Sequence, residues 1–323
     1  MVTAIVYLII GFVLLVKGAD FFVDGASGIA KKLRVPSIII GLTIVSFGTS
    51  APELAVSLSA ALKGSNDIAL GNVVGSNMFN TLVVLGASAV IAPVLVKKTI
   101  IKIDYPINII ITVLLGILCL DTLFGASGIN ISRIDGIILL LCFAAFMFIV
   151  IREGILQREE ISDNENHIDP KPIWLTLLLT AIGMAGIIIG GDMAVDGSKT
   201  IARELGLTDA LIGLTVVAIG TSLPELVTSV VAAKKGENDI AVGNVIGSNI
   251  FNILFILGTS ATILPMNLSS TYIYDIAIVL TVSIVCFIPI AINKRVGRFM
   301  GSMMISAYIL YTVYLILRQL EII

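Results

Sequence analysis

Two glutamates stand in apolar surroundings at matched places in one chain: Glu53 within GTSAPELAVS (48–57) and Glu225 within GTSLPELVTS (220–229). A charged side chain at the centre of a spanning helix costs about 2.5–3.5 kcal/mol on insertion scales. Two at matched positions are hard to explain as chance, and paired carboxylates are hard oxygen ligands for a cation. The plainer alternative is a protonated or hydrogen-bonded carboxyl that only holds helices together. The neighbours favour the ligand reading, because Thr49, Ser50 and Ser57 flank one glutamate and Thr221, Ser222 and Ser229 the other. Pro52 and Pro224 lack an amide hydrogen, which frees carbonyls near Gly48 and Gly220. Broken helices with free carbonyls are tolerated at membrane depth only where they line a protein cavity or an ion site.

A second motif follows in each place, GNVVGSNMFN (71–80) and GNVIGSNIFN (243–252). Ser76 and Asn80 are four residues apart and share a helix face, which Asn72 extends by a turn. Asn244, Ser248 and Asn252 repeat the pattern, with Asn77 and Asn249 beside them. Hydroxyl and amide oxygens one turn apart suit a hard cation. Neither motif holds a cysteine or histidine, which disfavours transition metals. Two ionised carboxylates are neutralised by one divalent ion or two monovalent ions. Ca²⁺ takes 6–8 oxygens in flexible geometry, whereas Mg²⁺ keeps its waters and fits less well. The glycines at 71 and 75, and at 243 and 247, form G-x-x-x-G and are expected to serve close helix packing.

These motifs belong to a larger duplication. Residues 18–93 and 190–265 align at a constant offset of 172 without a gap, with 43 of 76 positions identical. The chain is 57% hydrophobic and 13% charged, with mean hydropathy +1.07. Soluble domains carry about 25% charged residues. The expectation is therefore an all-α membrane protein. Ten apolar segments are expected as transmembrane helices, at 2–24, 38–62, 68–93, 104–121, 133–152, 173–197, 210–233, 240–265, 272–292 and 300–318. The first has no basic leader or small-residue cleavage site and is read as a retained span.

Each repeat opens a five-helix half, and five is odd, so the second half enters from the other side. The fold expected is two inverted-topology repeats, at 1–152 and 173–323, joined by a cytoplasmic linker at 153–172. With both termini outside, the inner segments carry 14 Lys and Arg and the outer ones 5, which sets the orientation. The linker holds the sole histidine, His167, and is read as a solvated connection. Trp174 suits an interfacial anchor. Cys119, Cys142 and Cys286 lie in apolar segments without metal or disulfide spacing and are read as packing residues. A net charge of −2 gives no case for nucleic acid.

At these residues the chain resembles the cation/calcium antiporter superfamily and, within it, the sodium/calcium exchangers. GTSAPE with GNVVGSNMFN, and GTSLPE with GNVIGSNIFN, are similar to that family's two alpha-repeats, and the resemblance covers nearly the whole chain. It implies an ion-binding core of the second, third, seventh and eighth helices, with the first and sixth sliding across it. By motif the ligands would be Thr49, Ser50, Glu53, Ser76 and Asn80 with Thr221, Ser222, Glu225, Ser248 and Asn252. Potassium-dependent relatives have aspartate at the last motif position, where this chain has Asn80 and Asn252. Proton/calcium relatives place an acidic residue in the second motif, and none occurs in 71–80 or 243–252.

The expected protein is a plasma-membrane antiporter in the lipid bilayer, functional as a monomer and without a cofactor. It would exchange Ca²⁺ for Na⁺ electrogenically by alternating access, with H⁺/Ca²⁺ exchange as the alternative. Asp20 and Asp24, mirrored by Asp192 and Asp196, are expected at the ends of the first and sixth helices. They would lead cations toward the entrance or form ion-paired helix ends. An intramembrane serine protease would need a histidine in the membrane, and an aspartyl one would need mid-span aspartates. A passive channel would more usually assemble identical subunits around a pore.

Overall fold

A computed structural model of the chain describes residues 2–119, 129–162, 172–205, 218–269 and 271–319. The first half runs α1 (Val2–Leu33), α2 (Ser37–Thr49), α3 (Ala51–Leu62), α4 (Asn66–Ile91), β1 (Val94–Leu95), α5 (Ile100–Leu118), β2 (Ile129–Ile131) and α6 (Arg133–Ser162). The second runs α7 (Ile173–Glu204), α8 (Ala218–Thr221), α9 (Leu223–Lys234), α10 (Asn238–Ile263), β3 (Met266–Leu268), α11 (Tyr272–Asn293), β4 (Arg295–Val296) and α12 (Arg298–Gln319).

Among the described residues, 8 helices are long and apolar enough to span a bilayer, and 9 spans result when the bent pair α2–α3 counts as one. The expected span at 210–233 is described only from residue 218, so the count of ten is not reached on described residues. Of the expected linker, residues 163–171, including His167, lie outside the described residues; α6 itself continues to Ser162. The helices α1 and α7 also run past the expected ends, to Leu33 and Glu204. Neither Asp nor Lys breaks a helix, and the first half meets no proline until Pro36. At 32 residues each, they are ~48 Å long by the α-helical rise. That exceeds the ~30 Å hydrocarbon core, so each must tilt or protrude.

Glycines at seven-residue spacing bring α1 and α7 together. A Cβ on Gly11 would meet Ala194 N at 2.6 Å, one on Gly18 would meet Ile187 N at 2.7 Å, and one on Gly25 would meet Thr180 N at 2.6 Å. The contacts descend α7 as they ascend α1, so these two helices are antiparallel. They are also repeat equivalents, and their own glycines, Gly11, Gly18 and Gly25, map onto Gly183, Gly190 and Gly197. Equivalent helices that cross antiparallel demand a two-fold axis in the membrane plane, and this is the inverted topology expected from the odd helix number.

The same axis governs the rest. Strand β1 pairs with β4, and its counterpart β3 pairs with β2, so two small antiparallel clamps join the halves. Both hairpins between the motif helices turn on a left-handed glycine, Gly64 at φ 74° and Gly236 at φ 81°. Inside sit α4 and α10, whose most apolar stretches are 72% and 94% buried. The helices α1, α6, α7 and α12 are only 11–28% buried and form the lipid-facing shell. Cys119 and Cys286 are buried and Cys142 half-buried, all three as free thiols.

Candidate functional site

Each glutamate starts a helix just past a break. Between α2 and α3 the axis bends by 51°, and Ser50 sits at the corner with φ −86° and ψ 10°. Ser222 occupies the same corner before α9, with φ −93° and ψ 8°. Pro52 and Pro224 follow in the first turns. There their missing N–H is harmless to the new helix and denies a donor to the old one. Glu53 and Glu225 come next, on the innermost side, and both are fully buried.

The two halves complete each other at this point. Ser222 Oγ donates to Glu53 Oε1 at 2.8 Å, and Ser50 Oγ donates to Glu225 Oε1 at 2.7 Å. Within each repeat, Ser76 Oγ lies 3.5 Å from Glu53 Oε1 and Ser248 Oγ 3.5 Å from Glu225 Oε1. Ser222 Oγ also lies 3.1 Å from Ser76 Oγ. Neither carboxylate is paired with a lysine or arginine among the described residues; the ion pairs there involve other acids.

Asparagines cross the axis one layer away. Asn80 Nδ2 donates to Asn249 Oδ1 at 3.2 Å, and Asn252 Nδ2 donates to Asn77 Oδ1 at 3.0 Å. These bonds use the amide hydrogens and leave the Oδ1 atoms of Asn80 and Asn252 without a donor. The Oε2 atoms of Glu53 and Glu225 are likewise buried and undonated. Four buried oxygens without donors would be costly in a finished hydrogen-bond network. They are what a cation cradle offers when no cation is bound. At Asn80 and Asn252 the helices also widen into π-turns, Asn80–Val84 and Asn252–Leu257, which re-aim side chains at many functional sites.

The structure thus joins Glu53, Glu225, Ser50, Ser222, Ser76 and Ser248 of the expected set by hydrogen bonds, and holds Asn80 and Asn252 in a separate asparagine network. Thr49 and Thr221 join through neighbours: Thr49 Oγ1 donates to Asn244 Oδ1 at 2.9 Å, and Thr221 Oγ1 to Asn72 Oδ1 at 3.4 Å. Asn72 and Asn244 in turn donate to Ser57 Oγ and Ser229 Oγ, each at 2.9 Å. Asn77 and Asn249 are the residues that sequence reasoning left without a role. Asn77 Nδ2 bonds the carbonyl of Asn249, its own repeat equivalent, at 3.2 Å, so the axis passes close by. Their place in both copies of the motif was the available signal.

The aspartates outside the core behave differently on the two faces. Asp20 and Asp24 are held by Lys235, so on that side the ion-paired outcome holds. Asp192 is exposed and Asp196 reaches Lys199 at 3.6 Å.

An inverted-repeat bundle with two buried carboxylates and undonated oxygens on its axis defines a secondary cation transporter. The family model described as sodium/calcium exchanger protein matches residues 3–152 and 175–317. The chain belongs to the sodium/calcium exchanger family, a family of antiporters rather than enzymes. It is 37% identical to CaxA of Alkalimonas amylolytica over 319 residues, 96% of this chain and 98% of that one. It is 33% identical to the sodium/calcium exchanger MaX1 of Methanosarcina acetivorans over 342 residues, 95% and 97% of the two chains. The solved structure of the sodium-calcium exchanger NCX_Mj, soaked with Na⁺ and without Ca²⁺, superposes with TM-score 0.82 at 33% identity, covering 96% of this chain and 97% of that one.

Proposed function

We propose that this protein exchanges Ca²⁺ for Na⁺ by alternating access, with both ions competing for one site on the two-fold axis. The observation that carries the reading is the set of four buried oxygens without donors, Glu53 Oε2, Glu225 Oε2, Asn80 Oδ1 and Asn252 Oδ1. Ser50, Ser222, Ser76 and Ser248 complete the ligand set, and Thr49 and Thr221 contribute beside the helix breaks. One Ca²⁺ neutralises the two carboxylates, and so do two Na⁺. Exchange of one Ca²⁺ for more than two Na⁺ would move net charge. An empty site leaves two charges in a low dielectric, at several kcal/mol per ion. The empty form therefore resists reorientation, and the two fluxes are coupled.

The protein acts as a monomer in the plasma membrane with both termini outside, an orientation supported by the excess of Lys and Arg on the opposite face. The test is ⁴⁵Ca²⁺ uptake into proteoliposomes driven by an outward Na⁺ gradient or, separately, by a pH gradient. Uptake driven by Na⁺ and responsive to membrane potential is expected. Uptake driven by pH alone would replace sodium coupling with H⁺/Ca²⁺ exchange on the same scaffold.

A further inference from the structure

On one face of the bundle, Lys235 binds the C-terminal half of α1 at Asp20 and Asp24. Its Nζ lies 2.7 Å from Asp24 Oδ1 and 3.4 Å from Asp20 Oδ1, and it donates to the Asp20 carbonyl at 2.8 Å. Along the same helix, Ser27 Oγ donates to Glu237 Oε1 at 2.6 Å. These contacts tie the peripheral helix α1 to the turn between α9 and α10. The helix α1 also packs along α9.

The repeat offset turns Lys235 into Lys63, and Asp20 and Asp24 into Asp192 and Asp196. Every residue type in the ion pair is kept, yet the mirror contact is not made. Lys63 is exposed, Asp192 is exposed, and Asp196 turns to Lys199, which stands where the first repeat has Ser27. No comparable packing joins α7 to α3. Ala55, Ser59, Lys63, Ser65 and Ile68 line a shallow surface hollow on the α3–α4 hairpin instead. The two faces carry the same charges, and the contacts are made on one face only.

We propose that these are two mirror-related ionic latches, Lys235 with Asp20 and Asp24, and Lys63 with Asp192 and Asp196, of which one is closed in each access state. In the state seen here the Lys235 latch is made while the Lys63 latch is not. When α1 and α7 move across the core, one latch breaks as the other forms. Because the ion pairs are alike, the exchange of latches is close to neutral in electrostatic terms. The lysines report on neither ion ligand and act on access alone. The inference rests on the alternating-access reading given above.

The test uses full-length protein in proteoliposomes of one orientation and reads half-saturation for ⁴⁵Ca²⁺ at the face bearing Lys235. Lys235→Gln weakens closure of that face and lowers half-saturation there, roughly 1.5- to fivefold for partly exposed pairs. Lys63→Gln removes the latch of the alternate state and raises it by a similar factor. Lys→Arg at either site, and the swap Asp24→Lys with Lys235→Asp, return values near the unmodified protein. Shifts in the same direction, or none in either variant, overturn the proposal. A second measurement does not need exchange: Lys63→Cys with Asp196→Cys, with Cys119, Cys142 and Cys286 replaced by alanine, is treated with a short bis-maleimide. Cross-linking that seals the Lys63 face is expected, and no cross-link over the full range of Na⁺ and Ca²⁺ overturns the latch. Failure of sodium-driven uptake in the unmodified protein, with the cross-link still forming, would fault the transport reading and not the latch.

Discussion

Replacing Glu53 by glutamine separates what a buried charge does for binding from what it does to the fold. The two side chains have nearly the same shape. Glutamine keeps an oxygen for the 2.8 Å bond from Ser222 and places an NH₂ where Glu53 Oε2 has no donor. The site loses one of its two charges without a cavity. Removing one partner of a buried charge pair costs about 3–5 kcal/mol. At 1.4 kcal/mol per decade, this is about a 140- to 3,700-fold loss of Ca²⁺ affinity. Stability without ions moves the other way, because a buried carboxylate with no lysine or arginine beside it is a net cost. The assay is thermal unfolding of the purified protein with and without Ca²⁺, beside ⁴⁵Ca²⁺ exchange. Glu53→Gln is expected to unfold at a higher temperature than the parent in chelator, to lose the stabilisation by Ca²⁺, and to exchange nothing. Glu225→Gln should match it, since the two sites are mirror copies. A variant that still gains stability from Ca²⁺ would refute the ligand assignment. One that unfolds earlier in chelator would show that Glu53 is a structural carboxyl.

Other perturbations have distinct signatures. Asn252→Ala removes an undonated oxygen and deprives Asn77 Oδ1 of its 3.0 Å donor; a loss of about 1–3 kcal/mol, roughly five- to 150-fold in Ca²⁺ half-saturation, is expected in a flux titration. Gly18→Ala drives a Cβ to within 2.7 Å of the Ile187 amide, so α1 and α7 must separate. Overpacking of this kind costs about 1–3 kcal/mol and should show as a lower unfolding temperature and slower exchange at unchanged ion affinity. Arg318 bonds Asp275 through two nitrogens at 2.8 and 2.9 Å, with Asp275 nearly buried. Arg318→Gln should lower the unfolding temperature, and adding Asp275→Asn should recover most of the loss. No recovery in the double variant would place the effect outside this pair.

The site motifs were legible because duplication repeats them: Glu53 and Glu225, with Ser76, Asn80 and their copies, announce themselves by recurring at one offset. The pairing that matters was not legible. That Ser50 serves Glu225 and Ser222 serves Glu53 depends on how the two copies meet across the axis, and no spacing within either copy carries it. Helix ends were misjudged at α1 and α7 because hydropathy falls at Asp20 and Asp192 while the backbone hydrogen bonds continue. Charge marks where apolar burial stops, not where a helix stops. The seven-residue glycine spacing was present throughout, but its meaning appears only when Gly18 is seen against the backbone of Ile187. The unequal engagement of Lys235 and Lys63 belongs to a conformational state, and an amino-acid sequence that codes both states alike cannot display it.

Duplication explains why one unit can be both a site and a machine. A cation on a two-fold axis needs oxygens from both sides, and an inverted repeat offers buried, undonated oxygens in pairs, here on Glu53 with Glu225 and Asn80 with Asn252. The same symmetry makes the two access states near copies of each other, because whatever α1 does to α9 on one face, α7 can do to α3 on the other. The contact between α1 and α7 favours such a motion. It brings backbone close at Gly11, Gly18 and Gly25 and their counterparts. The proposed ligands, carried on α3, α4, α9 and α10 and at the breaks before α3 and α9, can then stay fixed while the outer pair moves. Under the proposed assignment ion selectivity and access are separable, since the proposed ligands and the proposed ionic latches fall on different helices.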